Sequence, residues 1–306
     1  MTKSKSLFSG YAMALTVVCI WSGFIVISRF GATNALNSFD LISIRYVTAT
    51  LIAVPLWFFL TKHISIFTKQ YFTIALFGGI FYASCAFMAF GLAPASHAAV
   101  FLPGFMPVAI SLCIWGLLGE RVKGKGLLAL GIISFGVLLL ASSTLTVSKS
   151  TLAGDLLFMM AATSWGVFNA LLKKWQPDPI ATTAAVSLYT SVLYVPIYLL
   201  FLPHEISNAP AFEIAIQVIY QGVIAAVIQV LLYVKAAKAI GASNMAVTMA
   251  LVPVLASLIA VPVLGEQLNV VIIISLLCVT GGAIYGNIHG NKVKSKDENV
   301  SEVLQE

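Results

Sequence analysis

Charge is the scarcest commodity in this 306-residue chain: Asp, Glu, Lys and Arg together make up 9% of it, against about 25% in a soluble domain. A soluble surface cannot be kept wet with so few charges. The net charge of +6 is spread in short clusters between apolar runs, which argues against a phosphate-binding face and against a nucleic-acid partner. The four cysteines, Cys19, Cys85, Cys113 and Cys278, form no close pair. A disulfide framework or a zinc site needs clustered spacing, so these thiols read as small apolar side chains, and no metal is expected. Paired intramembrane aspartates, an HExxH motif and a nucleophile with its base are all missing, so the chain is not read as an enzyme. Residues 119–126 come close to a phosphate-binding loop, but Gly126 stands where Ser or Thr should hold magnesium, and an apolar span rather than a strand precedes it. No nucleotide or other cofactor is expected.

What the sequence does have is apolar length. Hydrophobic residues make up 60% of it and the mean hydropathy is +0.99. A helix of about 20 apolar residues crosses roughly 30 Å of hydrocarbon while satisfying its own backbone. Ten such runs are predicted, at 11–30, 40–61, 71–93, 98–118, 126–144, 154–174, 180–202, 213–236, 243–264 and 269–288. Turn and charge signals separate them, among them Pro94-Ala95-Ser96 and Gln176-Pro177-Asp178-Pro179. The first run follows Lys3 and Lys5 but is too long for a signal peptide and leads straight into further spans. The fold class expected is all-α integral membrane. Residues 1–10 form a short N-terminal end, and the polar stretch 289–306 a disordered tail.

Loop charge gives the orientation. Lys3, Lys5, Lys62, Lys69, Arg121, Lys123, Lys125, Lys173, Lys174, Lys235, Lys238, Lys292, Lys294 and Lys296 all fall on one side. They are 14 of the 17 basic residues, and by the positive-inside rule both termini are expected in the cytoplasm. The setting expected is the inner cell membrane, crossed many times.

The sequence also repeats itself. Gly119-Glu120, closing the fourth run, recurs 146 residues on as Gly265-Glu266, closing the ninth. The same step carries Pro107 onto Pro253 and Gly136 onto Gly282, and a step of 144 carries Trp21 onto Trp165 and Arg29 onto Lys173. Residues 11–144 and 154–288 are therefore two five-helix copies. Five is odd, so the second copy enters the membrane upside down. Inverted repeats of this kind build many secondary carriers, with the substrate near the midplane between the copies.

With Trp21-Ser22-Gly23, Trp165-Gly166, Arg45-Tyr46, the two prolines and the two Gly-Glu endings in hand, the chain resembles the EamA-type members of the drug/metabolite transporter superfamily, ten-helix bacterial-type exporters. The resemblance covers roughly residues 8 to 290. It implies a bundle around a central cavity lined mainly by helices one, three, four, six, eight and nine. It also implies transport of amino acids or other small metabolites, often outward. The first copy departs from the pattern in reading Trp-Ser-Gly.

Polar groups inside spans are costly in lipid and should face the bundle or a wet cavity. Gln217, Gln221, Gln229 and Tyr233 make one stripe on helix eight, Gln229 the deepest; interhelical hydrogen bonding is the alternative use of such glutamines. Asn169 lies one turn beyond Trp165 and shares its face. Trp21 and Tyr82 are further candidates for the cavity wall. His97 opens helix four ahead of Pro103, Gly104 and Pro107, which should kink it, and it is a candidate proton acceptor. Arg45 is expected near the outer boundary, snorkelling or bridging a gate with Asp40 nearby. Glu120 and Glu266 are expected as helix-end or gate contacts. The Gly282/Gly286 pair supports close helix packing or a dimer, so the chain is expected as a monomer or weak homodimer.

No carboxylate is placed near a midplane, which points to facilitated diffusion or exchange rather than tight proton coupling. The function expected is a secondary transporter of small polar metabolites, amino acids or their derivatives, working outward by alternating access, with membrane lipid as its surroundings. The alternatives are a multidrug exporter or a lipid scramblase of the same fold.

Overall fold

The computed structural model describes residues 2–144, 148–240 and 242–303. Ten helical stretches follow one another. They are α1 (Thr2–Thr33), α2 (Ser38–Leu60), α3 (Lys69–Leu92), α4 (Ala95–Leu118), α5 (Lys125–Thr144), α6 (Lys149–Trp175), α7 (Pro179–Phe201), α8 (residues 211–240), α9 (residues 242–264) and α10 (Val270–Val303). Among the described residues nine are long and apolar enough to cross a membrane, and α8 carries a shorter apolar stretch, Ala211–Ala226. The backbone of α10 runs helically to Val303, where an unstructured tail is expected from the polar composition. The segment contains no proline, and its lysines and glutamates are good helix formers.

Local chemistry explains the boundaries. Asn37 caps α2 and forms a reciprocal box with Asp40, Ser148 caps α6, and Asp178 caps α7 with Pro179 behind it. Gly119 and Gly265 end α4 and α9 with left-handed backbones, φ 75° and 68°, a conformation glycine adopts without Cβ strain.

The two copies fold alike even in their irregularities. A π-turn interrupts α3 at Leu76–Phe81 and α8 at Val218–Ile228. Helix α4 breaks at Phe105 and α9 at Leu251, and each resumes as a 13-residue half-helix, Met106–Leu118 and Val252–Leu264, with proline in its first turn. Pro55 and Pro196 occupy matching places inside α2 and α7.

Packing obeys the same exchange. Helix α1 lies against α8 and α9, as α6 lies against α3 and α4, while α2 meets α7 and α5 meets α10. Swapping the copies leaves this scheme unchanged. The α5–α10 seam shows the inversion directly: Gly136 faces Ser275 and Cys278, and Gly282 faces Ala129 and Ile133. Moving 136 and 129 along by the 146-residue repeat gives 282 and 275, so each contact is the image of the other. A Cβ at Gly136 or Gly282 would fall within 2.7 or 2.8 Å of the facing helix, which is why small residues stand there. Gly286, packed on Ala129, completes an intramolecular seam, so the GxxxG spacing is used within the chain.

Candidate functional site

A cavity of about 840 Å³ occupies the centre of the bundle. Its wall includes Trp21, Tyr82, Trp165, Asn169, Gln229, Tyr233, Arg45, Pro107 and Pro253, so nine of the residues singled out from the sequence meet in one place. The lining extends to α2, α7 and α10 through Tyr46, Thr182 and Ala283, beyond the six helices that the family resemblance implies. The cavity reaches the α6–α7 connection at Gln176 and Pro177 on the side that carries the termini. Among the described residues, no connection on the opposite, far side contributes to it.

Aromatic rings form the deep wall. Trp21 and Trp165, equivalent in the two copies, meet edge to face at 6.4 Å; Tyr82 lies 5.0 Å and Phe168 4.7 Å from Trp165. Phe168 was not singled out from the sequence, although its position three residues after Trp165 places it on the same helix face. With its amide turned to satisfy both neighbours, Gln229 accepts from Trp21 Nε1 at 3.0 Å and donates to the Ala225 carbonyl at 3.2 Å, which fixes the indole. Asn169 Nδ2 donates to the Trp165 carbonyl at 2.7 Å, leaving its Oδ1 without a partner among the described residues.

Arg45 does not snorkel outward. It sits seven residues after the start of α2 and turns into the cavity, where it is the one charged side chain among the described lining residues. Its Nη1 donates to Gln221 Oε1 at 2.7 Å, and Gln221 Nε2 donates to Ser28 Oγ at 2.9 Å. Its guanidinium lies 5.1 Å from the centre of the Phe24 ring, a cation–π distance. Asp40, the partner considered from sequence, is taken up elsewhere. It accepts from Tyr198 Oη at 2.6 Å and from the Glu205 and Asn37 N–H groups. Gln217 donates to the Ile27 carbonyl at 3.0 Å, so the two outer glutamines of the stripe tie helices together and Gln229 and Tyr233 face the cavity.

Three further candidates, His97, Glu266 and Glu120, also lie outside the cavity. His97 is buried against Asp155, with Nδ1 at 3.0 and 3.1 Å from the carboxylate oxygens. The α6 helix begins at Lys149 rather than at the expected 154, which sets Asp155 inside it and buries a carboxylate in the bundle. Glu266 accepts from the Ala95 and Ser96 N–H groups at 2.5 and 2.9 Å. Its oxygens sit at the positive end of α4, where a carboxylate is favoured. Glu120 is exposed and pairs with Lys173.

The far side is shut in depth. Behind the cavity, Phe24 meets Phe87 and Phe90 at 6.2 and 5.9 Å, and Phe90 meets Phe158 at 5.0 Å; Phe87, Phe90 and Phe158 are fully buried. Arg29 Nη1 bonds the Phe90 carbonyl at 2.5 Å. Asn37 reaches Pro203, and the Ala35 N–H reaches Glu213. On the terminal side no comparable layer lies between cavity and connections among the described residues.

Two five-helix copies of opposite sense around a central cavity define a membrane carrier. The profile of the EamA-like transporter family matches residues 8–142 and 152–287, one match to each copy, and the chain belongs to that family, within the drug/metabolite transporter superfamily. Among solved structures, one titled only as the crystal structure of a protein is 21% identical to this chain. It covers 92% of this chain and 97% of its own at a TM-score of 0.61, a likeness of fold. No curated protein matches the sequence.

Proposed function

We propose that this transporter carries small amphipathic solutes bearing a carboxylate, amino acids or their derivatives being the class that fits, out of the cell across the inner membrane by alternating access. The observation that carries the reading is Arg45, a cavity cation with no carboxylate facing it among the described residues. A guanidinium held by Gln221 and Phe24 is positioned for a carboxylate guest. The first turns of the Met106–Leu118 and Val252–Leu264 half-helices line the same space and add partial positive charge. Trp21, Tyr82, Trp165 and Phe168 supply a wall for an apolar or aromatic side chain. With the termini in the cytoplasm, as loop charge favours, the cavity is open to the cytoplasm, the state that loads an exported solute.

The test is counterflow in proteoliposomes with a panel of labelled aromatic and aliphatic carboxylates and their uncharged amides. Hydrogen bonds to a charged group are worth about 1.5–3 kcal/mol, so Arg45→Gln should weaken carboxylate transport roughly 10- to 100-fold and leave amides little changed. Equal handling of acids and amides by the parent, or undiminished carboxylate transport by Arg45→Gln at normal expression, would remove the anion reading.

A further inference from the structure

The two Gly-Glu endings are equivalent by repeat, yet the structure uses them differently. Glu266 binds the first N–H groups of α4 through both carboxylate oxygens, joining the α9–α10 connection to α4 on the closed far side. Glu120, its counterpart 146 residues earlier, is half exposed on the open side, with its carboxylate on Lys173. The same step carries Ser96 onto Ala242, where α9 begins. The neighbouring cations follow suit: Arg29, within electrostatic reach of Glu266, bonds the Phe90 carbonyl near the end of α3, while its counterpart Lys173 holds Glu120.

We infer that Glu266 and Glu120 are two alternating latches. Each seals its own face by capping the N-terminus of the broken helix of the other copy, and only one is engaged at a time. Opening the far side releases Glu266 from Ala95 and Ser96. Closing the terminal side draws Glu120 off Lys173 onto the first N–H groups of α9, beginning with Ala242. Lys173 is then free to take a carbonyl near the end of α8, as Arg29 takes Phe90 now. The physical basis is an exchange between equivalent partners. A carboxylate gains two charge-assisted bonds and a favourable helix dipole at either site, so the two closed states differ little in free energy and a bound solute can tip the balance. The inference rests on alternating access, and it assigns these two residues to positioning the halves rather than to touching the solute.

The experiment measures the labelling of a single cysteine at Ser111, a cavity-lining position, by a membrane-impermeant maleimide applied to either face of sealed vesicles. The four native cysteines are replaced beforehand. Glu266→Ala should raise the rate from the far face roughly tenfold and lower it from the terminal face, because two charge-assisted bonds of the closed far side are lost. Glu266→Gln, which keeps an acceptor, should shift both rates the same way by less. Glu120→Ala, at an exposed site that folding does not depend on, should do the opposite and suppress labelling from the far face when solute is present. The latches are refuted if Ser111→Cys is reached from both faces in the parent but neither glutamate variant shifts the balance, or if both shift it in one direction. Labelling from one face only under every solute tried, in parent and variants alike, would refute alternating access itself.

Discussion

The two ends of this bundle are built from equivalent parts and hold opposite states. At the far end Glu266 is locked onto backbone, Asp40 gathers Tyr198 and the Asn37 and Glu205 N–H groups, and four phenylalanines fill the space beneath. At the terminal end Glu120 meets an exposed lysine and the cavity runs out to Gln176 and Pro177. Nothing in the repeat itself demands this difference. An inverted repeat gives a protein two ways to arrange one set of contacts, and any single structure holds only one of them. On the proposed alternating access, the asymmetry between the ends is a property of the state. The asymmetry of Arg45 belongs to the sequence: aligning the caps Asn37 and Asp178 with Pro55 and Pro196 sets Val186 opposite it.

The comparison can be broken most forcefully at the far end. Asp155→Ala leaves the buried His97 Nδ1 without its hydrogen-bond partner, and an unsatisfied buried polar group costs about 1–3 kcal/mol, to which the cavity left by the side chain adds. The expected result is a large drop in thermal midpoint in detergent, read by tryptophan fluorescence. At the open end, Lys173→Ala removes an exposed pair worth less than about 1 kcal/mol and should leave the midpoint nearly in place. Equal effects would mean that the two ends do not differ in the way described.

A second pair of substitutions tests the symmetry itself. Gly136→Val and Gly282→Val each press on the facing helix of the α5–α10 seam, and overpacking of a tight interface costs typically 1–3 kcal/mol. The two should lower stability by similar amounts in the same assay. A large discrepancy would show that the seam is not a symmetric one. Tyr198→Phe, which removes only the hydroxyl donating to Asp40, should have a modest effect, about 1–2 kcal/mol. Its mark should be faster cysteine labelling from the far face rather than loss of fold.

The spans, the inversion and the capping glycines were legible in the sequence because the chemistry behind them is local. An apolar run of span length, a Gly-Glu ending or an Asp-Pro start reports on its own neighbourhood. Most of the cavity wall was legible too, since Trp165 and Asn169 announce a shared face by spacing alone. Arg45 and His97 were misplaced for a common reason. Their partners Gln221 and Asp155 stand 176 and 58 residues away, and a charge within two turns of a span end looks like a boundary residue until its partner is known. The one cation among the described cavity residues was therefore read as a boundary charge. The polar groups of the cavity are divided between the copies. Asn169 and Gln229 come from the second copy and Arg45 from the first, while the proline-led half-helices come from both.

The central claim is that this cation, framed by the paired indoles, receives a carboxylate. Trp21 and Trp165 lie at the site, so binding to the purified protein in nanodiscs can be read from its intrinsic fluorescence. Titration with an aromatic amino acid, its N-acetyl derivative and its amide should give saturable changes for the two carboxylates and none for the N-acetyl amide, with the carboxylate response lost in Arg45→Gln. Equal responses to acid and amide, persisting in Arg45→Gln, would contradict the claim.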